Sequence, residues 1–259
     1  MHVENKVAII TGGASGLGKD LAERLVSKGA KVIIGDVSVK AGEAFAAELN
    51  ATKDAKVAHF VRCDVTDFEQ IDSLFTAAEE HFGGIDIMVN NAGIAEYGCM
   101  LLSNAAFGVQ TGNWPRLIAI NLTAVIEGTR HAIETMRKQG RGGVVVNTSS
   151  IAGLVPNPAW NTPVYTAAKF GVCGFTRSFK GNEKREGADQ GIRVNCVAPA
   201  PADTPIMDAV RETVKNFAMV SVEMVTDAFM MVIEDESLSG DIARITPEEG
   251  IVIMGGEHF

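Results

Sequence analysis

Tyr165 and Lys169 bracket the run Tyr-Thr-Ala-Ala-Lys, and Ser150 lies fifteen residues upstream. On a helix, positions i and i+4 share a face about one turn apart, so a phenol and an ammonium would stand together. Such a pair is suited to moving a proton. A free tyrosine has a pKa of about 10 and is a poor base at neutral pH, whereas a cation held nearby favours the phenolate. Ser150 adds a neutral hydroxyl able to hydrogen-bond a carbonyl or alkoxide oxygen. Alone, a Tyr-x-x-x-Lys run is equally a solvated surface pair, and the rest of the chain must decide.

The elements before it supply a place for a dinucleotide. Lys6–Ile10 reads as a short strand that passes directly into Thr11-Gly-Gly-Ala-Ser-Gly-Leu-Gly18 and a helix over Lys19–Lys28. Gly12, Gly16 and Gly18 would let the backbone turn tightly, and Ser15 and Leu17 sit where a helix N-terminus offers N–H groups to a phosphate. A second strand, Lys31–Gly35, ends at Asp36, about twenty residues past the glycine turn, where a carboxylate can accept both ribose hydroxyls of an adenosine. The same charge would repel a 2′-phosphate and no arginine adjoins it, which favours NAD over NADP.

Further strands are read at Val57–Val61, Ile85–Val89, Gly143–Asn147, Ile192–Val197 and Ala243–Thr246. Helical patterns at Val39–Leu49, Phe68–Phe82, Trp114–Lys138, Tyr165–Phe179, Ile206–Phe217 and Val222–Ile233 separate them. The alternation predicts a single doubly wound α/β domain of Rossmann type, with a mainly parallel seven-stranded sheet and the cofactor across its C-terminal strand ends. Asp64 and Val65 would meet an adenine ring there, Asp67 being the better cap for the next helix. Asn91 would pin its strand end against the glycine turn, leaving Ala92 and Gly93 where a cofactor must pass. Pro199 fixes the chain as it leaves the sixth strand, and Thr204 could bond a carboxamide. Asn121 falls inside a helix, where asparagine is a weak former: it could hold a water, open the helix locally, or lie exposed. Ile94–Pro115 reads as a loop bordering the substrate, Lys180–Gln190 as a solvated mobile connection, and 200–222 as a substrate-binding lid. Met207, Met219, Met224, Met230 and Met231 are spaced for a core or interface, with an adaptable pocket as the alternative.

A chain of 259 residues with 46% apolar and 21% charged content suits one soluble domain. A net charge of −9 without a basic run excludes nucleic acid as a partner. No apolar run approaches the roughly 20 residues a bilayer crossing needs, and Met1–Ile10 reads as a strand entry rather than a signal peptide. A cytoplasmic protein with no membrane partner is expected. Cys63, Cys99, Cys173 and Cys196 show no Cys-x-x-Cys spacing, so no metal is expected and the thiols read as reduced and mostly buried.

In order and spacing these motifs resemble the short-chain dehydrogenase/reductase family from end to end: Thr11-Gly-x-x-x-Gly-x-Gly18, Asn90-Asn-Ala-Gly93, Asn121, Ser150 and Tyr165-x-x-x-Lys169. Met1-His-Val, the strand ending at Asp36, and Ile233-Glu-Asp-Glu-Ser-Leu-Ser-Gly240 are most similar to its 15-hydroxyprostaglandin dehydrogenase-like branch. The resemblance implies NAD-dependent interconversion of a secondary alcohol and a ketone, the small-molecule substrate being largely apolar. It implies a tetrad in which Tyr165 is the acid/base, Ser150 holds the substrate oxygen, Lys169 bonds the nicotinamide ribose, and Asn121 holds a relay water. A homo-oligomer, dimer or tetramer, is implied as well. Ala200 stands where the family usually has glycine, the segments Ile151–Val164 and Ile94–Ile120 are extended, and Lys180–Gln190 is more polar than the matching helix. Two other readings stay open: an NADPH-dependent ketoreductase, opposed by Asp36, and a non-catalytic nucleotide-binding protein that retains the fold.

Overall fold

Continuous apolar runs, rather than alternating ones, mark strands covered on both faces, and this chain has several. In a computed structural model that describes residues 1–51, 53, 55–96, 114–156, 162–181, 191–208 and 218–255, they form the centre of one sheet. Its strands are β1 (Val7–Thr11), β2 (Lys31–Asp36), β3 (Ala58–Arg62), β4 (Ile87–Asn90), β5 (Gly143–Thr148), β6 (Ile192–Pro199), β7 (Ile242–Thr246) and β8 (Gly250–Met254). Every residue of β1, β4, β5 and β6 is buried. The order is β3-β2-β1-β4-β5-β6-β7-β8, parallel throughout except where β8 runs back along β7. The sheet has eight strands, not seven. The additional one is a five-residue apolar tail, half-buried at the edge, whose register comes from the hairpin that pairs Thr246 with Gly250 rather than from any periodicity of its own.

Helices α1 (Gly16–Ser27), α2 (Val39–Ala51) and α7 (Val222–Glu234) pack one face, where Leu21, Leu25, Phe45 and Phe229 meet Ile10 and Ile34. On the other face α3 (Phe68–Phe82) and α5 (Ala124–Gln139) bring Ile71, Leu74 and Met136 against Ile9, Ile33 and Val145. Neighbouring residues of β1 thus feed opposite layers, as the pleat requires. Local rules set the helix ends: Asp67 accepts the Glu69 N–H at the start of α3, and Gly83 ends it with φ +79°. The expected helix over Trp114–Lys138 is interrupted. It runs as α4 (Trp114–Ile118), a π turn (Ala119–Thr123) and α5, with Asn121 inside the π turn. The remaining helix, α6 (Pro163–Arg177), carries Tyr165 and Lys169. Of the expected helix over Ile206–Phe217, a 3₁₀ turn at Pro205–Met207 is described, while 209–217 lie outside the described residues, as do 97–113, 157–161 and 182–190 of the two extended segments and the polar connection.

Strand order reverses between β1 and β4, and the crevice beyond the C-terminal ends of those strands is where a doubly wound sheet takes its ligand. Behind that crevice a buried polar network holds the sheet to α5 and α6. Asn90 Nδ2 donates to Asn147 Oδ1 (2.9 Å) and lies 3.1 Å from Thr129 Oγ1, and Asn147 Nδ2 donates to Thr176 Oγ1 (3.1 Å). Asn147→Ala would take the Oδ1 acceptor from Asn90 and Thr129 and the Nδ2 donor from Thr176, in a site with no exposure. It should cost about 2–4 kcal/mol, which calorimetry would read as a Tm lower by about 5–10 °C. Melting indistinguishable from the unsubstituted chain would show the network to be dispensable.

Candidate active site

The glycine turn is built by contacts that leave no room for side chains. Gly12 and Gly16 adopt φ of +63° and +52°. Gly18 has a different reason: a Cβ there would lie 2.3 Å from the Gly12 carbonyl oxygen and 2.7 Å from Asn91 Nδ2. It therefore backs the turn without facing the cavity. Asn91 Nδ2 donates to the carbonyls of Thr11 (3.1 Å) and Gly12 (3.2 Å), pinning the end of β4 to the turn. Thr11 Oγ1 in return accepts from the Asn91 and Ala92 N–H groups. Helix α1 then starts after Ser15 in extended backbone, with no side-chain cap and no acidic residue in its first turn. Its positive end points at the crevice. Thr204 closes over this end, with its Cβ 3.2 Å from where a Gly16 side chain would begin.

At the other end of the crevice Asp36 is 8% exposed and rigidly held, because Oδ2 accepts the Ala14 N–H (3.1 Å) and Oδ1 the Ser38 N–H (2.9 Å). The lone pairs left over are available to the cavity. Asp64 Oδ1 accepts from the Thr66 N–H (3.0 Å) and hydroxyl (2.7 Å), bonds that hold its carboxyl below the usual carboxylate range. Arg116 reaches it across the crevice, 3.4 Å from Oδ2. No arginine neighbours Asp36 in sequence, but one does line the same cavity, paired with a different carboxylate.

On the Tyr165 face the lysine is buried while the tyrosine is half-buried against the cavity. Lys169 is 4% exposed, and its Nζ donates to the Thr148 carbonyl (2.9 Å) and lies 5.5 Å from the Tyr165 ring centre. The Tyr165 hydroxyl is hydrogen-bonded to Ser150. Ser150 heads the 3₁₀ turn Ile151–Gly153 and accepts the Ala152 N–H there (3.2 Å). Burial raises the phenol above its ordinary value, with the Ser150 bond opposing, and burial lowers the Lys169 ammonium to about 8. The expectation that the neighbouring cation brings the phenolate into range is thus corrected. Desolvation penalises both charged forms, and the ammonium is turned to a backbone carbonyl rather than to the phenol oxygen.

Asn121 has no exposure, and its amide is committed to one residue: Oδ1 accepts the Ile94 N–H (2.9 Å) and Nδ2 donates to the Ile94 carbonyl (2.8 Å). Of the roles open to it, the structure displays the opened helix. Ala200 raises no backbone difficulty, since the only non-glycine residue with positive φ among the described residues is Asn5. Its N–H donates to Ile245 (2.8 Å) as an ordinary sheet extension.

All the candidate residues except Gly18 and Asn121 line one cavity of about 840 Å³: Gly12, Ser15, Gly16, Leu17, Asp36, Asp64, Val65, Asn91, Ala92, Gly93, Ser150, Tyr165, Lys169, Pro199 and Thr204. Of the methionines only Met207 joins them, whereas Met230 is core and Met219 and Met231 are exposed. Sequence reasoning passed over Arg116 and Glu96, both on the cavity wall. Glu96 carries no local signal, because it sits in an aperiodic stretch and its partner lies 69 residues away. Cys63, Cys173 and Cys196 are buried free thiols, and Cys99 lies outside the described residues. Among the described residues no helix is long and apolar enough to cross a membrane.

A mainly parallel sheet with its glycine turn, a strand-end carboxylate and a tyrosine–lysine pair on one crevice has the arrangement of a dinucleotide-type oxidoreductase. More narrowly, the chain belongs to the short-chain dehydrogenase family, whose model matches residues 6–215. It is 36% identical to the 15-hydroxyprostaglandin dehydrogenase [NAD(+)] of Bos taurus, over 97% of this chain and 94% of that one. It is 38% identical to the 3-alpha-(or 20-beta)-hydroxysteroid dehydrogenase of Mycobacterium tuberculosis (strain ATCC 25618 / H37Rv), over 83% and 75% of the two chains. Among solved structures, levodione reductase superposes with a TM-score of 0.80 at 30% identity, over 95% of this chain and 98% of that one.

Gly18→Ala would drive a methyl into the Gly12 carbonyl and the Asn91 amide together. Neither can yield without unpinning the turn, so dinucleotide affinity measured by calorimetry should fall at least tenfold. Unchanged affinity would show that the turn tolerates the displacement.

Proposed function

We propose that this chain is an NAD-dependent dehydrogenase interconverting a secondary alcohol and a ketone, with Tyr165 as the acid/base. The observation that carries the reading is that Tyr165, Ser150 and Lys169 share a wall of the same cavity as the glycine turn and Asp36. The donor set fits the dinucleotide. The uncapped start of α1 suits a diphosphate, Asp36 a ribose diol, and the backbone-held Asp64 with Val65 an adenine ring. Asn91, Ala92, Gly93 and Pro199 would flank the nicotinamide half, Thr204 would bond its carboxamide, and Lys169 its ribose. NAD supplies the hydride acceptor when bound.

The chain's own residues manage the oxygen and its proton. Ser150 presents a hydroxyl to the substrate oxygen, and Tyr165, bonded to Ser150, exchanges the proton at that oxygen. A phenol held above its ordinary value keeps its proton at neutral pH, so ketone reduction finds the acid ready and alcohol oxidation gains as pH rises. With its amide committed to Ile94, Asn121 would hold a relay water only through backbone opened at the π turn. The substrate side is apolar, with Ile94, Ala152, Ile206 and Met207 on the wall, in keeping with relatives whose names refer to prostaglandins and steroids. Residues 200–222 would form that side of the cleft, within a single domain over 1–259. The reading includes a homo-oligomer, dimer or tetramer, which the family resemblance supports, and a cytoplasmic location, which the sequence composition supports.

Tyr165→Phe should lower turnover by about 10²-fold or more while NAD still binds, followed as NADH absorbance with a panel of apolar secondary alcohols. Retained turnover would refute the assigned acid/base. Asp36→Ala should lower NAD affinity about tenfold or more and narrow the gap between NAD and NADP. A ratio of affinities unaltered by that change would refute Asp36 as the source of the selectivity, and a preference for NADP in the unsubstituted protein would favour the NADPH-dependent reading.

A further inference from the structure

Helix α6 begins with an end that its own sequence leaves open. Thr162, at the capping position, has φ −123° and ψ 62° and makes no side-chain cap, and Pro163 occupies the first helical position. Proline there has no N–H to satisfy, but the N–H groups of Val164 and Tyr165 need acceptors. Glu96 provides one for both. Its Oε2 accepts the Tyr165 N–H at 2.8 Å, and the Val164 N–H also bonds the carboxylate. Glu96 is 9% exposed and lines the cavity, and burial holds its carboxyl above the usual range against the pull of these two bonds. A buried carboxylate at a helix start interacts favourably with the helix dipole as well as with the N–H groups.

Glu96 also ends a tethered segment. Asn91 is bonded to the glycine turn, Ile94 to Asn121 in the π turn, and Glu96 to the first turn of α6. We propose that Glu96 is a positioning residue for the reaction: a long-range cap that fixes the backbone of Tyr165 and so keeps its phenol seated on the cavity wall beside Ser150. The proposal rests on the dehydrogenase reading for its effect on turnover, but not for its effect on the tyrosine.

That separation makes the test clean, because the chain has only two tyrosines. In a Tyr97→Phe background, the phenolate absorbance reports Tyr165 alone. Glu96→Ala should release the first turn of α6 and expose the half-buried ring further to water, so that the titration midpoint moves down toward the ordinary value of about 10. Turnover in the same variant should fall about tenfold or more, with NAD affinity within about threefold of the background protein. Glu96→Gln keeps an oxygen acceptor and should restore both the midpoint and most of the turnover. An unmoved midpoint in Glu96→Ala overturns the proposal, and so does a parallel loss of NAD binding in both variants, which would mark a general role in folding. If the midpoint moves as described and no alcohol or ketone is turned over by any form of the protein, the positioning stands and the dehydrogenase reading falls.

Discussion

Burying a phenol and an ammonium side by side is unfavourable for the charged form of each, and much of this structure serves to keep them buried together. Lys169 cannot withdraw: its Nζ holds the Thr148 carbonyl, and its own carbonyl accepts the Ser149 hydroxyl at 2.9 Å. Gly153 permits that approach, since a Cβ there would sit 2.5 Å from the Lys169 carbonyl oxygen. Further along α6, Thr176 is tied through Asn147 to β5 and β4. The pair is therefore defined by a helix clamped to the sheet at several heights, to which the contact of the ammonium with the ring face adds.

A second thread crosses the site at right angles to this logic. The chain leaving β4 alternates its commitments: Asn90 turns into the buried network, Asn91 turns to the glycine turn, and Ile94 lies under Asn121. Gly93 is small because a Cβ would come within 3.2 Å of Asn121 Oδ1. The π turn follows from the same requirement. An asparagine that spends both ends of its amide on one backbone residue must face it squarely, and widening the helix by one residue gives that orientation without breaking it.

What the sequence made legible was whatever is decided locally. The bounds of α3 follow from Asp67 and Gly83 alone, and β1, β4, β5 and β6 follow from the mainly apolar runs that both faces of a parallel sheet demand. The grouping of Asp36, the glycine turn and the tyrosine–lysine pair follows from strand ends that must all open on one edge. The remainder depends on distant partners. β8 exists through pairing with β7, and the acceptor for Tyr165 comes from a residue with no pattern around it. The direction of the Tyr165 shift is not legible for a related reason: spacing shows that a cation is near, but not how far burial disfavours the phenolate. Ala200 shows the reverse: a departure from the family pattern that stands out in the sequence sits in backbone with no positive φ.

The rigidity of Asp36 bears on the proposed choice between cofactors. A carboxylate on a free rotamer could swing away from a 2′-phosphate and blunt any discrimination. Here each oxygen accepts a backbone N–H from a different side, Ala14 in the turn and Ser38 past the strand, so rotation would break two bonds in a nearly buried site. Two like charges held about 4 Å apart repel by roughly 1 kcal/mol in water and about 4 kcal/mol at the effective dielectric of a protein surface. That range spans about one to three orders of magnitude in affinity. Because the carboxylate cannot retreat, the upper part of that range is the one the geometry favours, and Arg116 offers no relief while Asp64 faces it.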